Sequence, residues 1–445
     1  MHQLLITSGI VVTMGTAGVV EGADVLVEDG RIVRVGRGIA RADAEVLPAD
    51  GCAVLPGLVN AHTHLFQVLF RGFVDGVSLG EWLREIYRIG PVLTPDDCRT
   101  SARLGALESL RGGVTTVMEH HFVHPSLEYP AATIEGLSES GIRAVVARTS
   151  MDTGELVPAA TREIPKTAAG VAAEFLERFA GRPRLSMMVG PNTPPINASG
   201  DLVRAVSEVA RRYGVRVSAH CAEGLVITAR ARALGAEGVV DLLDGLGVLD
   251  ATWVLAHCVH LTDHEIEILR VRGAAVAHNP VSNMFLGDGI APLIKMRRAG
   301  VPIGLGTDGP SSNSTLDMFE TMKVTSLLQR LAALHAGAIR PMEVLEMATL
   351  GGARACGLDA LIGSIDAGKR ADLAVVDLSG PHLVALHDIY SQLVHCVRAS
   401  DVRDTIVDGR VVMRNRVVRT LDEQAVVGEA KASAARLAAA MRTSR

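Results

Sequence analysis

Residues 55–67, LPGLVNAHTHLFQ, are the stretch around which the rest of the chain is organised. An apolar run ends in His62 and His64, and side chains two positions apart on a strand point to the same face. Residues 215–224 (VRVSAHCAEG), 252–260 (TWVLAHCVH) and 302–309 (PIGLGTDG) repeat the arrangement. These runs are closed by potential metal ligands or proton carriers, which are His220 with Glu223, His257 and Asp308. The pattern predicts strands whose ends share one centre.

Short apolar strands alternate with helical stretches from residue 57 to about residue 357. Besides the four runs above, strands are predicted at residues 114–120, 142–148, 184–190 and 274–278, and crossover helices at 96–111, 202–213 and 263–272. Eight such units in about 300 residues fit a (β/α)8 TIM barrel within the α/β class. A doubly wound open sheet is the alternative. Candidate ligands close the first, fifth, sixth and eighth strands, which a closed ring brings together.

The sequence pattern is different at the two ends of the chain, where short runs rich in β-branched residues are separated by turns. Asp29-Gly30 and Asp408-Gly409 are dipeptides typical of hairpin turns. We therefore expect residues 1–56 and 363–420 to form one composite β-sandwich domain beside a barrel of residues 57–362. The Ala-rich residues 421–445 are predicted to be a helix on the surface or at an oligomer contact.

The composition excludes several classes of partner. The 445 residues are 48% hydrophobic and carry a net charge of −5, so there is no basic footprint for nucleic acid or an anionic membrane. Six cysteines are scattered singly, which favours reduced thiols. We find no pattern of a signal peptide and no apolar run of the roughly 18 residues that a membrane helix needs. A soluble cytoplasmic protein with a small-molecule substrate is expected.

Five motifs occur in a characteristic order: PGLVNAHTH, HCAEG, LAHCVHLTDHEI, HNPVSNM and GTDGPSSNSTLDMFE. In these motifs the chain resembles the amidohydrolase superfamily, over nearly its whole length. It is most similar to the branch that contains triazine hydrolases, guanine and 8-oxoguanine deaminases and adenosylhomocysteine deaminases. The resemblance implies one divalent metal, usually zinc or iron, and two proton carriers, Glu223 and His257. The implied ligands are His62, His64, His220 and Asp308.

The chemistry of these residue types agrees with the resemblance. Three neutral imidazoles and a carboxylate suit Zn²⁺, and a catalytic site keeps one position open for water. Asp308 can accept the proton of that water, and His257 can hold or polarise it. Glu223 can protonate a ring nitrogen and pass a proton to the leaving amine. Dinuclear members of the superfamily carry a bridging lysine at the fourth strand, and residues 184–190, RLSMMVG, have none. One metal ion is therefore expected, with zinc favoured over iron.

Four residues are predicted to contact the substrate. Trp82 belongs to a group of aromatic residues that could stack on a planar ring, or could pack the loop or a dimer contact. Gln67 could bind the edge of an aminated heterocycle, as a glutamine does in guanine deaminase-like relatives, or could be a surface or loop-bonding residue. His121, or its neighbour His120, could face the pocket or lie behind it. Arg148 could meet an anionic or carbonyl group, or pair with a loop carboxylate.

The predicted activity is metal-dependent hydrolytic deamination of an amino-substituted N-heterocycle, releasing ammonia. Two departures from adenosylhomocysteine deaminase-like proteins favour a purine base, pterin or triazine over a nucleoside: Asn192 replaces a histidine, and RIGPVLT lacks a ribose-binding glutamate. The alternatives are a triazine hydrolase displacing an alkylamine or chloride, a cyclic amide hydrolase, an adenosine- or adenosylhomocysteine-type deaminase, and a non-catalytic scaffold on the same fold. A homo-oligomer, dimeric or larger, is expected by resemblance.

Overall fold

The first and last parts of the chain build one sheet of nine strands. In the computed structural model, which describes residues 2–443, the N-terminal part contributes β1 (Gln3–Val12), β2 (Val19–Glu28), β3 (Arg31–Gly36), β4 (Glu45–Pro48) and β5 (Cys52–Pro56). The C-terminal part contributes β14 (Leu373–Asp377), β15 (Val402–Val407), β16 (Arg410–Arg414) and β17 (Val417–Val418). The composite β domain predicted from the two ends is confirmed, and its strands share a single hydrogen-bonded sheet.

Both predicted hairpin turns are confirmed. Glu28 pairs with Arg31 across Asp29-Gly30, and the two turn residues have φ of 47° and 80°. Val407 pairs with Arg410 across Asp408-Gly409, with φ of 54° and 76°. Two consecutive residues with positive φ are the requirement of a two-residue hairpin turn that matches strand twist, which is why Asp-Gly occupies both turns.

Eight parallel strands form the barrel, and they lie in sequence between the two parts of the chain that build that sheet. They follow one another in chain order: β6 (Leu58–Thr63), β7 (Val114–His121), β8 (Arg143–Ser150), β9 (Leu185–Pro191), β10 (Arg216–Cys221), β11 (Trp253–His257), β12 (Ala275–His278) and β13 (Ile303–Leu305). The first and last strands meet, because the amide of Asp308 donates to the carbonyl of His62 at 3.0 Å. The predicted barrel is confirmed, and the open-sheet alternative is wrong.

Helices connect the barrel strands and cover its outer face. Their bounds are α1 (Leu79–Tyr87), α2 (Pro95–Arg111), α3 (Glu128–Ser140), α4 (Pro165–Phe179), α5 (Gly200–Tyr213), α6 (Leu225–Ala233), α7 (Val239–Gly245), α8 (Asp263–Arg272), α9 (Pro280–Phe285), α10 (Leu293–Ala299), α11 (Pro310–Asn313), α12 (Met318–Ala332), α13 (Pro341–Glu346), α14 (Gly352–Ala355), α15 (Ile389–His395) and α16 (Glu423–Thr443). Short 3-10 turns cover Leu65–Phe70, Ala159–Thr161, Pro381–Leu383 and Ala399–Asp401, and a π turn covers Met347–Gly351.

Local capping signals explain where the crossover helices begin. Thr94 starts α2 by accepting from the amide of Asp97, whose carboxylate accepts from the amide of Thr94 in return. Thr262 and Glu265 form the same reciprocal pair at α8. The three crossover helices predicted from the sequence coincide with α2, α5 and α8 to within two residues.

A buried ion pair joins the barrel to the sheet. Arg143, at the start of β8, donates to both carboxylate oxygens of Asp372 at 2.8 and 2.9 Å. Asp372 directly precedes β14 and also accepts from the amide of Asp408 at 2.8 Å. The division of the chain at residues 56/57, 362/363 and 420/421 stays a prediction. Within residues 2–443, no helix combines the length and apolarity that crossing a membrane requires.

Candidate metal centre

Four predicted metal ligands lie together at the carboxyl ends of the barrel strands. One ligand atom from each of His62, His64, His220 and Asp308 lies within 4.8 Å of those of the other three. Nε2 of His64 is 3.2 Å from Nε2 of His220 and 3.1 Å from Oδ1 of Asp308. Nε2 of His62 is 3.4 Å from the same oxygen. Because β6, β10 and β13 end at one rim of the ring, residues distant in sequence converge there.

Hydrogen bonds to the backbone fix which nitrogen of two imidazoles faces the centre. Nδ1 of His64 lies 2.6 Å from the carbonyl oxygen of His120, and Nδ1 of His220 lies 3.0 Å from that of Asn192. A carbonyl oxygen only accepts, so each Nδ1 donates its proton and each Nε2 is the nitrogen that faces the centre. Burial lowers the pKa of His62 to about 3 and that of His220 well below its usual value. His62 and His220 are therefore neutral, the form that binds metal. Burial would also lower the pKa of His64, but its interaction with the Asp308 carboxylate raises that pKa.

The carboxylate of Asp308 is oriented by two serines. Its Oδ2 accepts from the hydroxyls of Ser282 at 2.6 Å and Ser312 at 3.0 Å. Burial alone would raise the pKa of Asp308, but the imidazoles of His62 and His64, 3.4 and 3.1 Å from its Oδ1, hold that pKa well below its usual value. The group is therefore ionised, and its Oδ1 is directed at the histidines.

The residues fit a single divalent cation. Both ring nitrogens of His62 are buried without a hydrogen-bond partner. Buried polar atoms without partners are costly, and an ion held between the four side chains would satisfy Nε2 of His62, the nitrogen that lies nearest Asp308. Three nitrogens and one carboxylate oxygen form a ligand set that zinc accepts. The fourth barrel strand, β9, contains no lysine that could bridge a second ion.

A proton donor and a proton acceptor lie beside the ligand group. Oε1 of Glu223 is 3.6 Å from Nε2 of His257, and both side chains reach within 4.8 Å of the Asp308 carboxylate. Burial, with the charge of Asp308 adding to it, raises the pKa of Glu223 to about 8. The carboxyl group is therefore mostly protonated at neutral pH. Nδ1 of His257 donates to Oδ1 of Asn283 at 2.9 Å, which leaves Nε2 facing Glu223 with a lone pair.

Two of these residues have an unusual backbone conformation. His257 has φ of 74° and Asp308 has φ of 60°, in the left-handed region that residues other than glycine rarely adopt. Such strain persists only where surrounding contacts enforce it, and it concentrates at functional sites. Here it occurs at the strand ends where the two side chains turn towards the ligand group.

A cleft leads from the ligand group to the protein surface. Its deep end is formed by His64, His220, Glu223 and Asp308, and its walls include Trp82, Phe122 and Asn192. Trp82, predicted to contact substrate, therefore lies in the cleft, where its indole N–H points to the carbonyl oxygen of Ser311 at 3.4 Å. An aromatic wall beside a polar floor suits a flat heterocycle.

The other three predicted substrate-binding residues do not line this cleft. His121 faces the helices outside the barrel, with Nδ1 3.3 Å from Glu119, because alternation along β7 turns it away from the centre. Arg148 is paired with Glu163 and donates to Ser150 at 2.6 Å, so the ion-pair alternative describes it. Gln67 is fully buried under Gly309 and accepts from Ser311 at 2.6 Å.

Three further residues support the site: His120, which the sequence offered only as the alternative to His121, and Ser282 and Asn283, which were not predicted. His120, the inward neighbour of His121, packs its ring 4.4 Å from that of His220 and contacts Oδ1 of Asn192 at 3.1 Å. Ser282 and Asn283, which hold Asp308 and His257, both come from the HNPVSNM motif. A serine and an asparagine directly after a barrel strand were the available signal, because α9 begins at that point and directs them inward.

The fold and the site together define a metal-dependent hydrolase on a (β/α)8 barrel. Residues 53–412 match the amidohydrolase family, and the chain belongs to that family. The predicted resemblance and the prediction of a metal-dependent aminohydrolase are both confirmed by this membership and by the deaminase relatives described next.

The chain is similar over nearly its full length to proteins that are named as deaminases. It is 40% identical to a 5-methylthioadenosine/S-adenosylhomocysteine deaminase of Natronomonas pharaonis, covering 98% of each chain. It is 36% identical to a 5'-deoxyadenosine deaminase of Methanosarcina mazei, covering 99% of each. A crystal structure of an adenosine deaminase from Xanthomonas campestris with bound zinc superposes with a TM-score of 0.92 at 31% identity, covering 98% of this chain and 99% of the other.

Proposed function

We propose that the protein is a zinc-dependent deaminase that hydrolyses the exocyclic amino group of an adenine nucleoside and releases ammonia. The observation that carries the proposal is the buried carboxyl of Glu223 beside the ligand group, whose pKa burial raises to about 8. Deamination of an aromatic ring needs an acid to protonate a ring nitrogen before water can add, and Glu223 is such an acid at neutral pH.

His62, His64, His220 and Asp308 would hold the metal ion. A bound divalent cation activates water for attack near neutral pH. His62 and His220, as neutral imidazoles, and the ionised carboxylate of Asp308 can bind the ion without prior loss of a proton, and binding would displace any proton that Nε2 of His64 carries. Bound zinc in the Xanthomonas adenosine deaminase supports zinc over iron.

The remaining residues move protons. Glu223 protonates the ring nitrogen next to the carbon under attack. The carboxylate of Asp308 accepts a proton from the attacking water, and the Nε2 lone pair of His257 holds that water by accepting a hydrogen bond. Glu223, now a carboxylate, takes up the proton of the hydroxyl left on the ring carbon and passes it to the leaving amine, so that ammonia departs as a neutral molecule and a carbonyl remains. The proton held by Asp308 then returns to Glu223, whose carboxylate lies within 4.8 Å of it. Ser282 and Ser312 keep Asp308 oriented throughout.

The names of the relatives favour a nucleoside over a free base. Both curated relatives reported above are named for adenosine derivatives, and the solved neighbour for adenosine itself. The sequence alone favoured a base, pterin or triazine, because two nucleoside-associated residues are absent. The adenosine-type alternative has the stronger support. Asn192 lines the cleft at the position of the missing histidine, and its amide can still donate a hydrogen bond.

A substrate panel with the purified, zinc-loaded protein tests the proposal. Release of ammonia is measured for 5'-deoxyadenosine, adenosine, adenine, guanine, 8-oxoguanine and an aminated and a chlorinated triazine. We expect the adenine nucleosides to have the highest kcat/KM. A higher kcat/KM for any free base or triazine would contradict the nucleoside assignment. Chloride or alkylamine release without deamination would contradict the proposed reaction.

A cytoplasmic location and a homo-oligomeric state complete the proposal. Fractionation of cells that express the protein tests the first, and sedimentation of the purified protein tests the second.

A further inference from the structure

The outer part of the cleft is apolar. It is lined by Leu79 and Leu83 from α1, by Ile196 from the loop after β9 and by Val226 from the first turn of α6. Val226 is 59% exposed and its neighbour Leu225 is 69% exposed. The entrance therefore has an apolar lip, although exposed positions are usually polar. An exposed apolar edge beside a concave site is typical of a surface that contacts a ligand.

The charged groups of the cleft are all at its deep end and are acidic or metal-binding. Glu223 and Asp308 are its carboxyl groups, and within residues 2–443 no lysine or arginine lines it. Arg148, the arginine predicted from the sequence to meet an anionic group, is 2% exposed and paired with Glu163. A substrate carboxylate in the outer cleft would therefore find no cation.

The orientation of a nucleoside in this cleft follows from the chemistry. The ring carbon that loses its amine must lie at the deep end, beside Glu223 and the ligand group. The ribose and its 5'-substituent would then extend towards the entrance, where Leu83 and Val226 line the cleft.

We propose that the outer cleft selects adenine nucleosides with a small uncharged 5'-substituent over those whose 5'-substituent carries an amino-acid group. The inference rests on the proposed function. A methyl or methylthio group gains from burial against the apolar walls. The ammonium and carboxylate of an amino-acid tail lose water at the apolar lip and gain no ion pair. The names of the two relatives include nucleosides with a small uncharged 5'-substituent and one with an amino-acid group. We expect this protein to discriminate between these two kinds of substrate.

The first test compares kcat/KM of the zinc-loaded wild type for 5'-deoxyadenosine, adenosine and S-adenosylhomocysteine. We expect 5'-deoxyadenosine to exceed adenosine by about 10-fold, the discrimination of an apolar pocket against an added hydroxyl. We expect it to exceed S-adenosylhomocysteine by about 10-fold or more, because unpaired charges cost more than a hydroxyl. An equal or higher kcat/KM for S-adenosylhomocysteine overturns the inference and leaves the proposed function standing. Turnover of none of the three overturns both.

A charge introduced at the lip gives a second test. Val226→Lys should raise the ratio of kcat/KM for S-adenosylhomocysteine to that for 5'-deoxyadenosine by about 5-fold or more, because the ammonium group can pair with the substrate carboxylate. Leu234→Lys is the matched control: Leu234 is 55% exposed at the other end of α6 and does not line the cleft. An unchanged ratio in Val226→Lys, or an equal rise in both variants, would show that the apolar lip does not discriminate between 5'-substituents.

Discussion

Replacement of Glu223 by glutamine tests the acid that the proposed reaction needs. The side chain is 7% exposed, and burial raises its pKa to about 8. At pH 7, one unit below that value, the group is protonated in a ratio of about ten to one. Glutamine keeps the shape and a donor N–H but cannot transfer a proton. We therefore expect kcat to fall by about 10²- to 10⁴-fold, which corresponds to about 3–5 kcal/mol in the barrier.

The pH profile gives the same variant a sharper readout. The active form of Glu223 is the protonated one, and because its pKa is raised the carboxyl stays protonated up to a higher pH than an ordinary glutamic acid. The wild-type kcat should therefore fall as pH rises through about 8. In Glu223→Gln the residual rate should lack this alkaline decline, while the bound metal stays at the wild-type amount. Glu267→Gln, on the exposed surface of α8 and paired with Arg270, is the control and should behave as wild type.

Two outcomes would refute this reasoning. Normal turnover in Glu223→Gln would show that no proton passes through this residue. Loss of metal together with activity would show that Glu223 supports the ligand group instead of acting as an acid.

Two further variants test contacts around the site and between the two sheets. Asn283→Ala removes the acceptor of the His257 Nδ1 proton, so kcat should fall by about 10-fold or more with the metal content kept; an unchanged kcat at all pH values would contradict the orienting role. Arg143→Ala leaves the buried carboxylate of Asp372 without its cation and should lower the free energy of unfolding by about 3–5 kcal/mol, measured by denaturant titration; a loss below about 1 kcal/mol would contradict the importance of this pair.

The barrel could be predicted because its strands end in chemically distinctive residues. Apolar runs closed by His62, His220, His257 and Asp308 indicate both the strand and its direction, since side chains at successive strand ends meet only in a parallel ring. The hairpins could be predicted from Asp-Gly because few other dipeptides tolerate two positive φ values. The single continuous sheet formed by the two ends could not be derived, because strand pairing over hundreds of residues leaves no local pattern.

The residues around the substrate cleft were harder to predict than the metal ligands. His120 and His121 are adjacent and chemically identical, and only the register of β7 decides which one faces the barrel interior. Arg148 is at a strand end like the ligands, but Glu163 lies on a later loop whose path the sequence does not reveal. The apolar lip at Val226 is a tertiary feature as well, since valine in the first turn of a helix is unremarkable in sequence.

The central claim is that four distant side chains hold one metal ion, and metal analysis of the purified protein tests it most directly. We expect about one zinc per chain in the wild type, and loss of metal and activity together in His220→Ala, because a site with three ligands binds far more weakly. Less than about 0.3 metal per chain in the wild type, with no recovery when zinc is added, would contradict the account.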